Sequence, residues 1–199
     1  IARGEGPSPI LMNCSGKHAG MLATCVINGW DIDTYLAPDH PLQVAIKSKL
    51  EEMSGEEIVF QGVDGCGAPV HALTLGGLAR LSQTAVLADP GSPERIVADS
   101  MRAHPEYVGG TRRDVTHFMT VIPGLLAKDG ASGVYTGSLS DGRAVALKIE
   151  SGAESGRNAA MAGLLANLGV PESALDTYLH QPVFGGGKIV GTIHPSLSP

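Results

Sequence analysis

The stretch Asn13-Cys14-Ser15-Gly16-Lys17-His18-Ala19-Gly20 sets a turn-forming run directly against an apolar-periodic one, Met21, Leu22, Cys25 and Val26. That order predicts a helix over residues 15–28, ended near Asn28-Gly29, with Ser15 as its N-cap. The polar cluster then sits at a helix N-terminus. Free backbone N–H groups and the positive end of the helix dipole favour anions and thiolates there. Lys17 follows Cys14 by three residues, so one helical turn brings both heads to one side. Each residue taken singly reads as part of a capped helix with a small buried thiol. Taken together, a Lys and a His crowding a Cys-Ser pair serve no packing purpose.

The bulk properties narrow the class. A chain of 199 residues, 43% hydrophobic and 17% charged, has the composition of a globular protein with enough material for one real core or two small ones. A net charge of −6 gives no broad nucleic-acid footprint. No apolar run approaches the length of a membrane span, and no signal peptide heads the sequence. Three cysteines make no secreted disulfide scaffold, so a reducing, cytoplasmic setting is expected. The chain opens Ile1-Ala2-Arg3-Gly4-Glu5-Gly6-Pro7, without Met and already reading as a loop. It is therefore expected to be the C-terminal portion of something longer.

Along the chain, Asp39-His40-Pro41 is a helix-start signal, and Leu42, Ile46, Leu50 and Met53 form a stripe at helical spacing that Ser54-Gly55 ends. Residues 57–61 are a strand candidate. Gly62 to Pro69 is a glycine-rich loop around Cys66, where the backbone can come close to something or take positive φ. Helices are expected over 73–87 and from Pro93 to about Ala103. Val115, Phe118 and Met119 fall at helical spacing, with His117 read as a structural residue. Residues 123–133 read as a loop carrying Lys128. Residues 134–139 and 143–150 read as a hairpin across Asp141-Gly142, in which Val145, Leu147 and Ile149 share a face and Lys148 points the other way. A helix over 157–168, a short helix over 174–180 and a last strand over 188–193 follow. Helices and antiparallel-looking strands mix without a βαβ rhythm, which predicts an α+β fold of helices packed on a mainly antiparallel sheet.

Two kinds of chemistry are open to these residues. Cys14, Lys17 and Cys66, with His18 and His71 as alternates, form a candidate thiolate-rich metal site of the kind zinc prefers. Spacing alone supports it weakly. A Lys ligand must be neutral, so the ion and burial would have to lower its pKa. Asp64, two residues before Cys66, is placed to accept a hydrogen bond from a metal-bound water. Cys25 reads as core. The other chemistry is a Ser activated by a neutral Lys, which suits amide hydrolysis. Ser15, Lys128 and Lys148 are the catalytic candidates. The chain has no Ser-x-x-Lys, Ser15-Gly16-Lys17 has the wrong spacing for one, and neither later Lys has an evident Ser partner. Gly185-Gly186-Gly187-Lys188 lacks the frame of a phosphate loop.

The run from Asn13 to Leu22 resembles the signature of the L-asparaginase II family of the Rhizobium etli type. Pro38-Asp39-His40-Pro41, Asp64-Gly65-Cys66, His104-Pro105-Glu106, Leu126-Ala127-Lys128-Asp129-Gly130-Ala131 and Leu147-Lys148-Ile149-Glu150-Ser151-Gly152 follow in the family's order. The resemblance covers nearly the whole chain. It implies a fold like the serine β-lactamases and glutaminases and the hydrolysis of L-asparagine to aspartate and ammonia. It further implies a zinc-type ion held by Cys14, Lys17 and Cys66, Asp64 beside the metal water, Lys128 paired with a catalytic Ser, and His18 helping to orient substrate. The family's Ser-x-x-Lys and its second catalytic Ser lie upstream of the first motif, so the 199 residues alone are expected to be inactive. Ser151 stands where the family usually has Asp. The expected partners are a small-molecule substrate, a second copy in a homodimer and the upstream segment, with no nucleic acid or membrane. A structural zinc domain and an inactive amino-acid-binding module remain alternatives.

Overall fold

The computed structural model describes residue 4, residues 6–154 and residues 156–196. Of the expected opening loop, residues 1–3 and residue 5 lie outside the described residues. The chain divides into two compact units, residues 1–52 with 56–72, and residues 53–55 with 73–199.

In the first unit, α1 spans Ser15–Asn28 and ends where Gly29 takes a left-handed φ of 66°. The N–H of Trp30 then donates back to the Cys25 carbonyl at 2.9 Å, which closes the helix end. Met21 and Cys25, one turn apart, bury against Leu42 and Ala68. Leu42 belongs to α2, Pro41–Ser54. His40 starts that helix. Its Nδ1 accepts the Leu42 N–H at 3.1 Å while Nε2 donates to the Asp31 carbonyl at 2.9 Å. Two short strands follow, β1 (Gln61–Val63) and β2 (Pro69–His71), paired antiparallel with Val63 opposite Pro69.

The strand expected over 57–61 is therefore displaced. Pairing begins at Gln61, and Gly62 and Val63, read as loop, lie in β1. The register is set by the tight connection, in which the Asp64 N–H donates to Ala68 O at 2.8 Å and Gly67 takes φ 86°. Val59 and Phe60 are β-formers, but they remain 85% and 66% exposed outside either strand. Propensity without a partner strand did not extend the ladder.

The second unit is built on a three-stranded antiparallel sheet in the order β3-β4-β5: Leu126–Asp129, Val134–Ser138 and Ala144–Lys148. Four helices precede it, α3 (Leu75–Leu87), α4 (Pro93–Ala103), α5 (Pro105–Gly109) and α6 (Asp114–Val121). Thr74 and Ser92 cap α3 and α4, accepting from the backbone N–H of Gly77 and Arg95. After the sheet come α7 (Arg157–Asn167), α8 (Asp176–Leu179) and a hairpin of β6 (Gln181–Gly185) and β7 (Lys188–Ile193).

Strand alternation and register put Leu126, Lys128, Thr136 and Lys148 on one face of the sheet, and Ala127, Asp129, Tyr135 and Leu147 on the other. The first face meets α3 and α4: Leu126 packs with Val86 and Ala98, and Thr136 Oγ1 lies 3.0 Å from Ser82 Oγ. The second face carries the larger core, in which Tyr135 and Leu147 pack with Phe118 of α6 and Met161 and Leu165 of α7. Gly137 admits this packing, since a Cβ there would lie 2.7 Å from Met161 Cε.

The segment read as a loop over 123–133 is thus corrected. Leu126 to Asp129 form an edge strand, with Lys128 opposite Thr136. Leu, Ala, Lys and Asp are poor strand formers, and the strand exists because β4 offers its ladder. The triple glycine after Phe184 is the tip of the last hairpin, with Gly186 and Gly187 both at positive φ as a two-residue turn requires. Among the described residues, helices and small antiparallel sheets make the architecture α+β, and no helix is long and apolar enough to cross a membrane.

Candidate functional site

The first turn of α1 and the β1–β2 connection meet within the first unit. Cys14 occupies the N-cap position of α1, with φ −93° and no side-chain capping bond. The expectation that Ser15 caps the helix is corrected: Ser15 is the first helical residue. A thiol is a weak acceptor, and this one is turned to other partners. The sulfurs of Cys14 and Cys66 and a carboxylate oxygen of Asp64 all lie within 4.8 Å of one another. Lys17 completes the cluster, with Nζ 3.0 Å from Asp64 Oδ2. Cys66 Sγ lies 3.6 Å from the same oxygen, and Asp64 Oδ1 accepts the Gly65 N–H at 2.7 Å.

These contacts set the charges. Asp64 is held below the usual carboxylate range, chiefly by the Lys17 hydrogen bond and then by the Gly65 N–H. The Cys66 thiol is made more acidic, first by the Ala68 N–H, against an opposing effect of burial, and then by Lys17. For Lys17, burial works to lower the pKa, but the bonds to Asp64 and Cys66 outweigh it and the amine is raised. The Lys17 ammonium thus pairs with the Asp64 carboxylate and lies beside the Cys66 thiol.

The donor set fits a borderline-soft cation such as zinc, offering two sulfurs, one amine and one carboxylate. Taking up such an ion would release the Lys17 proton and separate it from Asp64, so binding would be proton-linked. The side chains of Lys17 and Asp64 are 44% and 40% exposed, which leaves a small molecule a way in.

The other expected residues are placed as follows. His18 follows Lys17 on α1. Its Nδ1 is 2.6 Å from the Tyr35 hydroxyl, and its Nε2 is buried with no hydrogen-bond partner among the described residues. Neither His18 nor His71 belongs to the Cys14–Asp64–Cys66 group. His71 is on β2, both ring nitrogens buried without hydrogen-bond partners among the described residues, its pKa lowered by burial and then by the charge of Lys47. Lys128 and Lys148 belong to the second unit. The Lys128 ammonium bonds the Asp129 carbonyl and lies 3.2 Å from Asp129 Oδ1, while Lys148 Nζ donates to Ile149 O at 2.6 Å. Among the described residues, neither amine is hydrogen-bonded to a serine.

One charged group had no sequence expectation. Arg157, 2% exposed, lies 3.2 Å from Asp114 and 3.4 Å from Asp129, and its guanidinium sits 5.5 Å from the Tyr135 ring centroid. Arg113 approaches Asp129 at 2.6 Å. Burial, with Asp114 adding to it, pushes the Tyr135 phenol up. An Arg at the head of an Ala- and Leu-rich helix was the available sequence signal, because a guanidinium so placed needs buried acids.

An α+β chain carrying two thiols, a carboxylate and an amine in one accessible cluster is, by geometry alone, a candidate metal-binding protein. Residues 1–195 match the protein family L-asparaginase II, and the chain belongs to that family. None of the curated proteins compared with it matches. The family's name gives the activity class as asparaginase-type amide hydrolysis, with a small molecule as substrate.

Proposed function

We propose that this protein hydrolyses L-asparagine to L-aspartate and ammonia, with residues 1–199 forming a portion of a single asparaginase II-type domain of serine β-lactamase/glutaminase-like fold. The observation that carries the reading is the meeting of Cys14, Asp64 and Cys66 within 4.8 Å, beside Lys17, in a chain of this family. In the reaction the side-chain amide C–N bond breaks, a C–O bond forms with an oxygen that comes finally from water, and the nitrogen leaves as ammonia after taking a proton.

In this reading Cys14, Lys17 and Cys66 hold a zinc-type ion, which when bound supplies positive charge to orient the substrate or polarise its carbonyl. Asp64 accepts a hydrogen bond from a water beside the ion. His18, with Nδ1 engaged by Tyr35, helps to orient the substrate. Lys128, as the free amine, takes the proton of a serine hydroxyl and hands it on to the leaving nitrogen. Lys148 and Ser15 are the secondary catalytic candidates. On the resemblance, the serine nucleophile lies ahead of the Cys14 motif. The protein acts as a homodimer in the cytoplasm.

The exposure of Lys17 and Asp64 supports a substrate site over a structural zinc staple, because a structural site is closed to solvent and this cluster leaves a small molecule a way in. The test joins three measurements. Purified protein is expected to retain zinc near one per chain, to lose it in Cys66→Ser with the fold kept, and to melt higher with L-asparagine in the wild type but not in His18→Ala. Absence of both zinc and an asparagine-dependent shift would overturn the proposal. A Cys66→Ser protein that unfolds outright would favour the staple. Robust ammonia release by the 199 residues alone would move the nucleophile to a serine within them.

A further inference from the structure

Asp129 is a tightly held acid of the second unit. Its Oδ2 takes Arg113 at 2.6 Å and Arg157 at 3.4 Å, while its Oδ1 faces the Lys128 ammonium at 3.2 Å. Its side chain is 10% exposed, against 52% for Lys128. The two guanidiniums come from different elements. Arg113 precedes α6, and Arg157 opens α7 with its side chain 2% exposed and held also by Asp114 at 3.2 Å. Two cations on one oxygen from two directions leave the carboxylate little freedom to rotate, so its second oxygen has a fixed place. Lys128 is the opposite case: a long stem on an edge strand, its head half in water, where an amine would ordinarily sample many rotamers.

We propose that Asp129, clamped by Arg113 and Arg157, is a positioning residue that fixes the Lys128 amine at one place on the sheet edge. The inference rests on the reading above in which Lys128 moves the proton during amide hydrolysis. The device separates two tasks. The arginines hold the carboxylate, and the carboxylate, together with the Asp129 carbonyl that the ammonium also bonds, holds the lysine head, so it is oriented without being buried. Neighbouring residues on a strand point to opposite faces. The contact between Lys128 and Asp129 is therefore not a consequence of the ladder, and it requires the lysine stem to turn back toward its own neighbour.

The test reads the lysine directly and does not depend on turnover. The folded protein is acetylated under limiting reagent, and each lysine is followed by peptide mass spectrometry, with Lys148 and Lys188 as internal references. Removing the carboxylate in Asp129→Asn is expected to raise the Lys128 acetylation rate about two- to five-fold, the range that loss of a half-exposed ion pair supports, with the references unchanged. Arg113→Lys, which loosens the clamp without touching Asp129, is expected to raise it less. A merely structural Asp129 would leave the ratio of Lys128 to Lys148 where it was in every variant that folds, and that result overturns the proposal. If Asp129→Asn does not fold, Arg113→Lys decides alone by the same ratio. Activity separates the two layers of the argument. In a turning-over enzyme Asp129→Asn is expected to lower kcat with little change in KM, and Lys128→Met to abolish turnover. A changed acetylation ratio with an active Lys128→Met variant would leave the contact standing and remove the catalytic role assigned to Lys128.

Discussion

Asp64 answers to Lys17, Cys66 and its own turn at once, since one carboxylate accepts from the amine at 3.0 Å, faces the thiol at 3.6 Å and takes the Gly65 N–H at 2.7 Å. If it stands beside a metal water, Asp64→Asn keeps the size and removes the charge. Zinc affinity is then expected to fall about 10- to 100-fold, the usual cost of altering a group that orients the ligand shell. Competition against a chromophoric chelator measures it, and an unchanged affinity would remove Asp64 from the site. Asp129 makes a second residue-scale prediction. Burial works to raise its pKa, but Lys128 and the Arg113 hydrogen bond outweigh it, and the carboxyl is held below its usual range. A carboxyl with a depressed folded pKa contributes stability that is complete above the ordinary value near 3.9 and is lost as pH falls through the folded value. Urea melts are therefore expected to show the wild type losing stability below about pH 4 more steeply than Asp129→Asn; parallel pH profiles would contradict it. The cluster around Asp64 was partly legible in the sequence, because Cys14 and Lys17 fall one helical turn apart. Cys66 lies 52 residues beyond Cys14, and no spacing rule joins them, so its thiol was a candidate by residue type alone, weakly supported by spacing and reinforced by the resemblance. The Asp129 clamp was not legible, because Arg113, Asp129 and Arg157 come together only when α6, β3 and α7 pack.

Among elements, those that carry their own signals matched their expected places closely. α1 starts and stops where its polar cluster and Asn28-Gly29 require, and α4 begins at Pro93 behind a capping Ser92. The β4–β5 hairpin closes as its Asp-Gly pair predicts, with Gly142 at φ 87° and its N–H donating to Leu139 O at 2.9 Å. Gly142→Ala tests how firmly that turn is specified. An alanine would be strained at this φ, and its Cβ would lie 2.6 Å from Leu87 Cδ1. The substitution is expected to cost about 1–3 kcal/mol, the range for a non-glycine residue held in a sparsely populated backbone region, read as a lowered denaturation midpoint with an unchanged denaturant slope. Full stability would mean that the turn re-forms in another type. The elements missed were β2, α5, β3 and β6, and the three strands among them need a partner. Leu126 to Asp129 carry no strand propensity of their own, and Pro182 breaks the pattern expected of β6. Residues 57–60 made the opposite error, having strand propensity and no ladder to join.

At the scale of the whole molecule, the two units differ in what holds them. Among the described residues, the main buried cluster of the first unit is Met21, Cys25, Leu42 and Ala68, whereas the largest cluster of the second unit, against the β3–β5 sheet, has fifteen buried residues. Small cores depend on cross-links or metals. A cation joining Cys14 and Lys17 of α1 to Cys66 of the β1–β2 connection would tie the ends of the first unit's chain together. An ion at 100 times its dissociation constant stabilises the state that binds it by about 2.7 kcal/mol. Local stability is read by amide exchange, element by element. Adding zinc to the chelator-treated protein is therefore expected to slow exchange across residues 14–25 and 61–71 and to leave α6 and α7 unchanged. The same experiment on Cys66→Ser is expected to show no zinc effect in either unit. Slowing spread equally over α6 and α7 would mean that the ion acts on the folding of the whole chain, and no slowing at all in the wild type would mean that the two thiols, the amine and the carboxylate meet for a reason other than holding a metal.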